Sequence, residues 1–315
     1  MKSLRYFFVF FLVSTTLCIA AYLAAAPYAL LPFFNAILML AAPVALGIYI
    51  YRRLGADWRV FGLGMLTWLG AQVLHIPFNS WTLLPALENL GYGTSSAPGS
   101  LELAVFAVAV GLSAGVFEET ARYIVYSRWM EKTRLWKDGL MFGAGHGGVE
   151  AIITGVMALL YFLYALTARN GDLGQLTPEQ LQAAQNFSDA YWNNAWYIYL
   201  LPAAERLSAL AFHLAAALLV LRAVNRRSPF WFLAAVTLHT LFNTAAVFAL
   251  VTWGELAAEG LVLLFGIFSV GLIFYLRPAD EPPADTHPQP QGAPTLPDKS
   301  PSPPDHQKLE DSRYD

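Results

Sequence analysis

Long apolar runs dominate the pattern of hydrophobic and polar positions along this chain. A helix needs about 20 mostly apolar residues to cross the hydrocarbon core of a bilayer, and these runs reach that length without the alternation of barrel strands. Helices and closed barrels are the only structures that satisfy the backbone in lipid. The pattern therefore predicts an all-α, polytopic membrane helical bundle of about eight transmembrane helices, with runs near residues 6–26, 29–51, 60–84, 101–127, 139–166, 195–222, 229–250 and 256–276.

The polar segments between and after these runs suggest the domain organisation. Residues 1–277 form the predicted multi-span domain, and the Pro-rich, polar residues 278–315 are predicted to be a disordered cytoplasmic tail. Residues 167–194 form a polar outer segment that can hold a short helix after Thr177 and Pro178. The first 26 residues also resemble a signal peptide, but their apolar run is long, which favours an uncleaved first span.

Composition and charge agree with a membrane location. The 315 residues are 57% hydrophobic and 13% charged, whereas soluble domains carry about 25% charged residues. With the N-terminus in the cytoplasm, the outer segments hold a single basic residue, Arg169, so the positive-inside rule predicts that both termini are cytoplasmic. We expect an integral protein of the plasma membrane with no nucleic-acid partner. The single cysteine, Cys18, excludes a disulfide framework and a cysteine-based metal site.

Three ionisable residues interrupt the run at 101–127. Glu118, Glu119 and Arg122 lie within five residues, and each costs about 2.5 to 3.5 kcal/mol if it faces lipid. We therefore expect them to face the interior of the bundle. At 100° per residue of helix, Arg122 lies between the two glutamates and can neutralise part of the carboxylate pair.

Three later runs also contain polar residues spaced to share a helix face. Counted from the predicted cytoplasmic ends at about 1.5 Å per residue, their histidines lie about 12 to 17 Å deep, close to the depth of Glu118. Four helices are thus predicted to place polar groups at one level. These groups are Glu118, His146, His213 and His239. Glu150, Arg206 and Asn243 share the helix faces of the three histidines, and Arg206 is predicted to lie nearer the outer side.

Two further features have simpler structural interpretations. Glu205 with Arg206 is predicted to be a structural ion pair that forms locally or with Glu150, and His75 a hydrogen-bond donor between helices. The glycines at 111 and 115, and at 143 and 147, have the GxxxG spacing of closely packed helices. The cluster of glycines around His146 also predicts backbone that is open to an extended peptide.

Together these motifs resemble the CAAX-protease and bacteriocin-processing (CPBP) superfamily of intramembrane endopeptidases. Three features of this chain are similar to the motifs of that superfamily. They are the paired glutamates followed by arginine, the FxxxH motif from Phe142 to His146, and the HxxxN motif from His239 to Asn243. Within that superfamily, FEETARY, FGAGHGGVEA and ERLSALAFH look most like the YhfC-type intramembrane metalloproteases. The resemblance covers residues 101–250. The chain departs from the usual EExxxR pattern, because Arg122 gives EExxR.

The resemblance implies hydrolysis of peptide bonds in or at the edge of the membrane, and two mechanisms stay open. In the metal-free version, Glu118 is the general base for a water, Glu119 and Arg122 set the local charge, and His146, His239 and Asn243 assist the leaving amine and the oxyanion. In the metal version, Zn²⁺ or another divalent ion is held by His146, His213 and His239. Glu150 also belongs to the candidate catalytic set.

Other classes of function use similar residues. An ion- or proton-coupled transporter also needs buried charges at mid-membrane, although the sequence shows no internal repeat. A haem protein could use two of the histidines, and a catalytically silent relative could bind without cleaving. The expected partners are membrane lipid and a peptide or membrane-protein substrate; the sequence selects neither the substrate nor an oligomeric state.

Overall fold

The computed structural model describes residues 30–171, 174 and 176–278. Within them the chain is helical, with no strand, and seven segments are long and apolar enough to cross a membrane. The helices are α1 (Leu31–Leu54), α2 (Trp58–Phe78), α3 (Leu84–Asn89), α4 (Leu101–Arg128), α5 (Trp136–Asn170), α6 (Pro178–Trp192), α7 (Leu201–Arg226), α8 (Pro229–Trp253) and α9 (Glu255–Tyr275). A π-helical turn at Asn79–Leu83 joins α2 to α3, and a 3-10 turn at Trp196–Leu200 precedes α7.

This architecture confirms the predicted all-α polytopic bundle. The seven spans coincide with seven of the eight predicted apolar runs, and α6 is the short helix expected after Thr177 and Pro178. The Thr177 hydroxyl accepts a hydrogen bond from the backbone of Gln180 and so caps that helix. The predicted first span at 6–26, with Cys18, and the predicted tail beyond residue 278 lie outside the described residues. The orientation of the termini stays a prediction.

Helix α7 is the centre of the bundle. Of its most apolar 18 residues, 78% are buried within the protein, compared with 22–44% in the other described spans. It packs against α5, α8 and α9, while α1 and α2 pack on the other side of α5, and α4 packs along α8. The run of alanines at 215–217 has no exposed surface, because small side chains let neighbouring helices approach closely. A central α7 presents His213 to both α4 and α5.

Glycines bring α5 into direct contact with the helices around it. A Cβ on Gly143 would lie 2.7 Å from the Cα of Leu214, and one on Gly147 would lie 2.7 Å from the ring of His213. On the opposite side of α5, a Cβ on Gly145 would overlap the carbonyl of Phe61. Gly111 and Gly115 of α4 make similar contacts with α8. The prediction of close packing is confirmed, but the expectation of open backbone around His146 is wrong, because neighbouring helices fill that space.

The segment after α2 departs from α-helical geometry. Pro77 lies inside the last turn of α2, where its ring removes one backbone donor, and the chain continues as the π-helical turn at Asn79–Leu83. Such turns are rare and occur frequently at functional sites. Here the turn begins at Asn79, whose side chain hydrogen-bonds His75 on α2 and Ser113 on α4.

We expect Gly64→Ala to destabilise the bundle. Its Cβ would overlap the carbonyl of Phe142 and lie 2.9 Å from the backbone nitrogen of His146, and overpacking of this kind costs about 1–3 kcal/mol. The matched control is Gly62→Ala on the same helix, where an added Cβ meets nothing within 4 Å. Thermal unfolding in detergent should show a lower midpoint for Gly64→Ala alone. Equal midpoints would contradict the close contact between α2 and α5.

Candidate active site at the centre of the bundle

Arg122 occupies the middle of the polar cluster. It is fully buried, as is Glu119, and its Nη1 donates to Oε1 of Glu119 one turn earlier on α4. Its Nη2 lies 3.7 Å from Oε2 of Glu118 and 2.6 Å from Nδ1 of His213 on α7. One guanidinium therefore contacts both glutamates, as the helix geometry predicts, and also links α4 to α7.

Glu118 faces α2 and α5. Its Oε2 accepts a hydrogen bond from Nε2 of His146 at 3.0 Å, and its Oε1 accepts one from the side-chain amide of Gln72 at 3.0 Å. Its side chain is 7% exposed, whereas the side chains of Glu119, Arg122 and His146 are fully covered. Within the core of the cluster, Glu118 is thus the carboxylate closest to solvent.

A second group of charges continues from His213 towards the predicted outer side. Since His213 accepts from Arg122 at Nδ1, its proton is on Nε2, which donates to Oε2 of Glu150 at 2.9 Å. Oε1 of Glu150 accepts from Arg206 at 2.5 Å, and Arg206 also pairs with Glu205. The predicted ion pair therefore forms both locally and with Glu150, and these three side chains are 13–33% exposed.

His239 approaches from α8. Its Nδ1 donates to Oε1 of Glu119 at 2.6 Å, and its ring centre lies 6.0 Å from that of His213. Asn243 follows one turn later on the same helix and is half-buried. The structure thus brings six of the predicted residues into one cluster with Glu150 at its edge: Glu118, Glu119, Arg122, His146, His213 and His239. Asn243 lies one helical turn from His239 on α8.

Three of these side chains fit a metal ion. One ligand atom from each of Glu118, His146 and His213 lies within 4.8 Å of the other two, and all three residues are buried. His239, the third histidine of the predicted donor set, lies outside this group, and its Nδ1 is bonded to Glu119. Two histidines supply nitrogen ligands of the kind found in catalytic zinc sites, and a carboxylate at the same point can either complete the donor set or act on a water beside the ion.

The charges of the cluster also favour a cation. Glu118 and Glu119 supply two buried carboxylates, whereas Arg122 supplies one guanidinium. With neutral histidines and ionised carboxylates, one negative charge is left uncompensated. Buried charge is expensive unless it is paired, so a divalent ion or a proton would balance the group, whereas Glu150 and Glu205 are partly exposed and pair with Arg206.

Sequence reasoning missed Gln72. An amide in an apolar run does not stand out as a charge does, and nothing local in the run at 60–84 marks it. The available signal was its spacing, because residues 72, 75 and 79 fall on one face of a helix. The other two are the polar residues His75, which is buried, and Asn79, which is half-buried.

Comparison with known proteins shows the family of this chain. The model of the YhfC intramembrane metalloprotease family matches residues 38–265. The chain belongs to this family. The membrane protein YhfC of Bacillus subtilis (strain 168) is 34% identical over 216 residues, which cover 65% of this chain and 78% of that protein. No solved structure matches the chain.

The match extends beyond the residues that carry the resemblance in the sequence. Motifs were recognised only in residues 101–250, whereas the YhfC family model also covers most of α1, all of α2 and part of α9. Gln72 and His75 are therefore within the part of the chain that the family shares. In this YhfC family member, α2 contributes to the polar cluster as well as to packing.

We expect Arg122→Met to be strongly destabilising. The change leaves the buried Glu119 without its cationic partner, and removing one member of a buried ion pair costs about 3–5 kcal/mol. Arg206→Met serves as the matched control, since the carboxylates it pairs with are 26% and 33% exposed and can be solvated. Thermal unfolding should show the larger loss for Arg122→Met, and adding Glu119→Gln should restore part of it. Equal losses in the two variants would refute a central role for Arg122.

Proposed function

We propose that this protein is an intramembrane metalloprotease that hydrolyses peptide bonds of membrane-associated substrates. The observation that carries this proposal is the convergence of Glu118, His146 and His213 from three different spans at one buried point. Ionisable groups inside a membrane are costly and mark function by default. Membership of the YhfC family supports peptide-bond hydrolysis over transport.

The residues at this point fit a divalent metal ion. His213 donates its Nε2 proton to the carboxylate of Glu150, an arrangement that orients metal-binding histidines, and its Nδ1 would bind the ion in place of the hydrogen bond from Arg122. His146 has a buried ring nitrogen, Nδ1, that has no hydrogen-bond partner in the part of the chain that the structure describes. His146 and His213 would hold the ion, with Glu118 facing the same point. A bound divalent ion supplies polarisation of the substrate carbonyl and acidification of a water.

The side chains of the cluster divide the remaining work. Glu118, the most exposed of the core carboxylates, holds the attacking water, accepts its proton and donates it to the departing amine. Arg122 and His239 both contact Glu119, which fixes their positions. With Nδ1–H of a neutral His239 held by Glu119, its Nε2 is an acceptor, so the side-chain amide of Asn243 is the donor to the oxyanion on that helix.

The surroundings of the site suit a substrate that arrives from the membrane. The spans expose apolar side chains to lipid, among them Leu66, Val73 and Leu74 on α2, so the protein itself is integral to the membrane. We propose that it lies in the plasma membrane and that its partners are lipid and a peptide or membrane-protein substrate.

We also propose that it belongs to the wider CPBP superfamily. That membership is supported by the paired glutamates, the Phe142 to His146 motif and the His239 to Asn243 motif.

Glu118→Gln should abolish cleavage. The amide keeps the shape of the side chain but cannot accept the proton of a water. Cells that carry the wild type, Glu118→Gln or the control Glu102→Gln, an exposed residue at the start of α4, are compared by proteomics of protein N-termini in membranes. N-termini that are created by cleavage of membrane proteins should be present with the wild type and with Glu102→Gln but absent with Glu118→Gln. Identical N-termini in all three would overturn the proposed activity.

Metal content should distinguish the donor set Glu118, His146 and His213 from the set His146, His213 and His239 that the sequence predicts. We expect the purified wild type to hold about one divalent ion per chain by elemental analysis, and His213→Ala to lose it. His239→Ala should retain the ion, because its ring lies outside the group formed by Glu118, His146 and His213. Loss of the ion from His239→Ala but not from His213→Ala would contradict the structural donor set.

A further inference from the structure

A chain of hydrogen bonds leads from Glu118 along α2. Gln72 Nε2 lies 3.0 Å from Oε1 of Glu118, and Gln72 Oε1 lies 3.2 Å from Nδ1 of His75. His75 Nε2 lies 3.0 Å from Nδ2 of Asn79, and Asn79 Oδ1 lies 2.7 Å from the hydroxyl of Ser113. Four consecutive bonds thus begin on α4 at Ser113, pass through three residues of α2 and its π-helical turn, and return to α4 at Glu118.

The chemistry of these groups assigns every proton in the chain. The hydroxyl of Ser113 donates to Oδ1 of Asn79, so the Asn79 amide nitrogen donates to Nε2 of His75. A neutral His75 then has its proton on Nδ1 and donates it to Oε1 of Gln72. The Gln72 amide is left with its nitrogen towards Glu118. All four bonds therefore donate in the same direction, and the last one ends on the carboxylate. With Glu118 ionised and His75 neutral, flipping either amide alone would place two donors or two acceptors opposite each other.

Packing holds the chain in place. His75 is 9% exposed and its ring stacks on Phe117, with ring centres 5.3 Å apart and planes inclined by 27°. Phe117 in turn contacts Phe78, with ring centres 5.2 Å apart. The π-helical turn starts at Asn79. An unpartnered amide in this apolar setting would be costly, so the bonds from His75 and Asn79 stabilise one rotamer of Gln72.

We propose that Gln72 is a positioning residue for Glu118 and that His75, Asn79 and Ser113 act only through it. The inference rests on the proposed function, in which Glu118 holds the attacking water. A carboxylate of this kind must be held in a narrow range of orientations. His146 fixes one oxygen of Glu118, and Gln72 fixes the other. The glutamine thereby keeps the carboxylate aimed at the point that it shares with His146 and His213.

The test uses two apolar substitutions of matched size, Gln72→Met and His75→Phe, in the full-length protein. The carboxylate stretching band of Glu118 is identified by infrared difference spectroscopy against Glu118→Gln. We expect both single variants to shift this band, and the double variant to match Gln72→Met alone, because His75 reaches Glu118 only through Gln72. On a substrate found from the new N-termini, kcat should fall about 10- to 100-fold with KM unchanged, as is typical when the partner of a functional carboxylate is removed.

The control is Thr67→Val on the same helix. Thr67 is buried, and in the described part of the chain its hydroxyl bonds only the backbone of Leu63 in its own helix, so neither the band nor kcat should change. An unshifted band in Gln72→Met, or additive effects of the two variants, would overturn the proposal. If Gln72→Met fails to fold, His75→Phe alone still decides it, since that residue does not contact Glu118. The infrared result stands even if no variant changes any N-terminus, an outcome that would reject the protease activity alone.

Discussion

The buried contact between Arg122 and the two glutamates before it is the interaction on which the rest of the structure depends. No lipid-facing arrangement can accommodate three charges within five residues of a span, so α4 must be covered on the side that bears them. The helices that cover it are α2, α5, α7 and α8, and each supplies a polar side chain that satisfies one of those charges. The charges therefore select which helices assemble around α4, while glycines and alanines determine how closely they approach.

Close approach has a direct effect on the chemistry of the site. Because Gly147 lies against the ring of His213, the distance between α5 and α7 is limited by the backbone of one helix and the imidazole of the other. His146, one residue away from that contact, is consequently held 5.4 Å from His213 between ring centres. A site of this kind is preorganised, since its donors sit on rigid helices and need little movement to bind.

The sequence predicted more about the cluster than about its surroundings, for physical reasons. Charges in apolar runs are expensive, so Glu118, Arg122, His146 and His213 were identifiable from cost, spacing and depth alone. The rotation of each helix about its own axis is determined by packing, which pattern analysis does not contain. That is why the pattern placed His239 among the candidate metal ligands without showing that its Nδ1 is bonded to Glu119. The central position of α7 was hidden for a related reason, because a run of alanine and leucine has the same composition whether it faces lipid or protein.

The position of the candidate site along α5 bears on what the proposed cleavage would release. α5 begins at Trp136, so His146 lies about 15 Å along the helix at 1.5 Å per residue, which is about half the thickness of the hydrocarbon core of a bilayer. A membrane-spanning substrate cut at that depth would be left as two apolar stubs of similar length. Neither stub would be long enough to cross the bilayer alone, so under the proposed function both fragments would lose their transmembrane anchor, independently of the sequence around the cut.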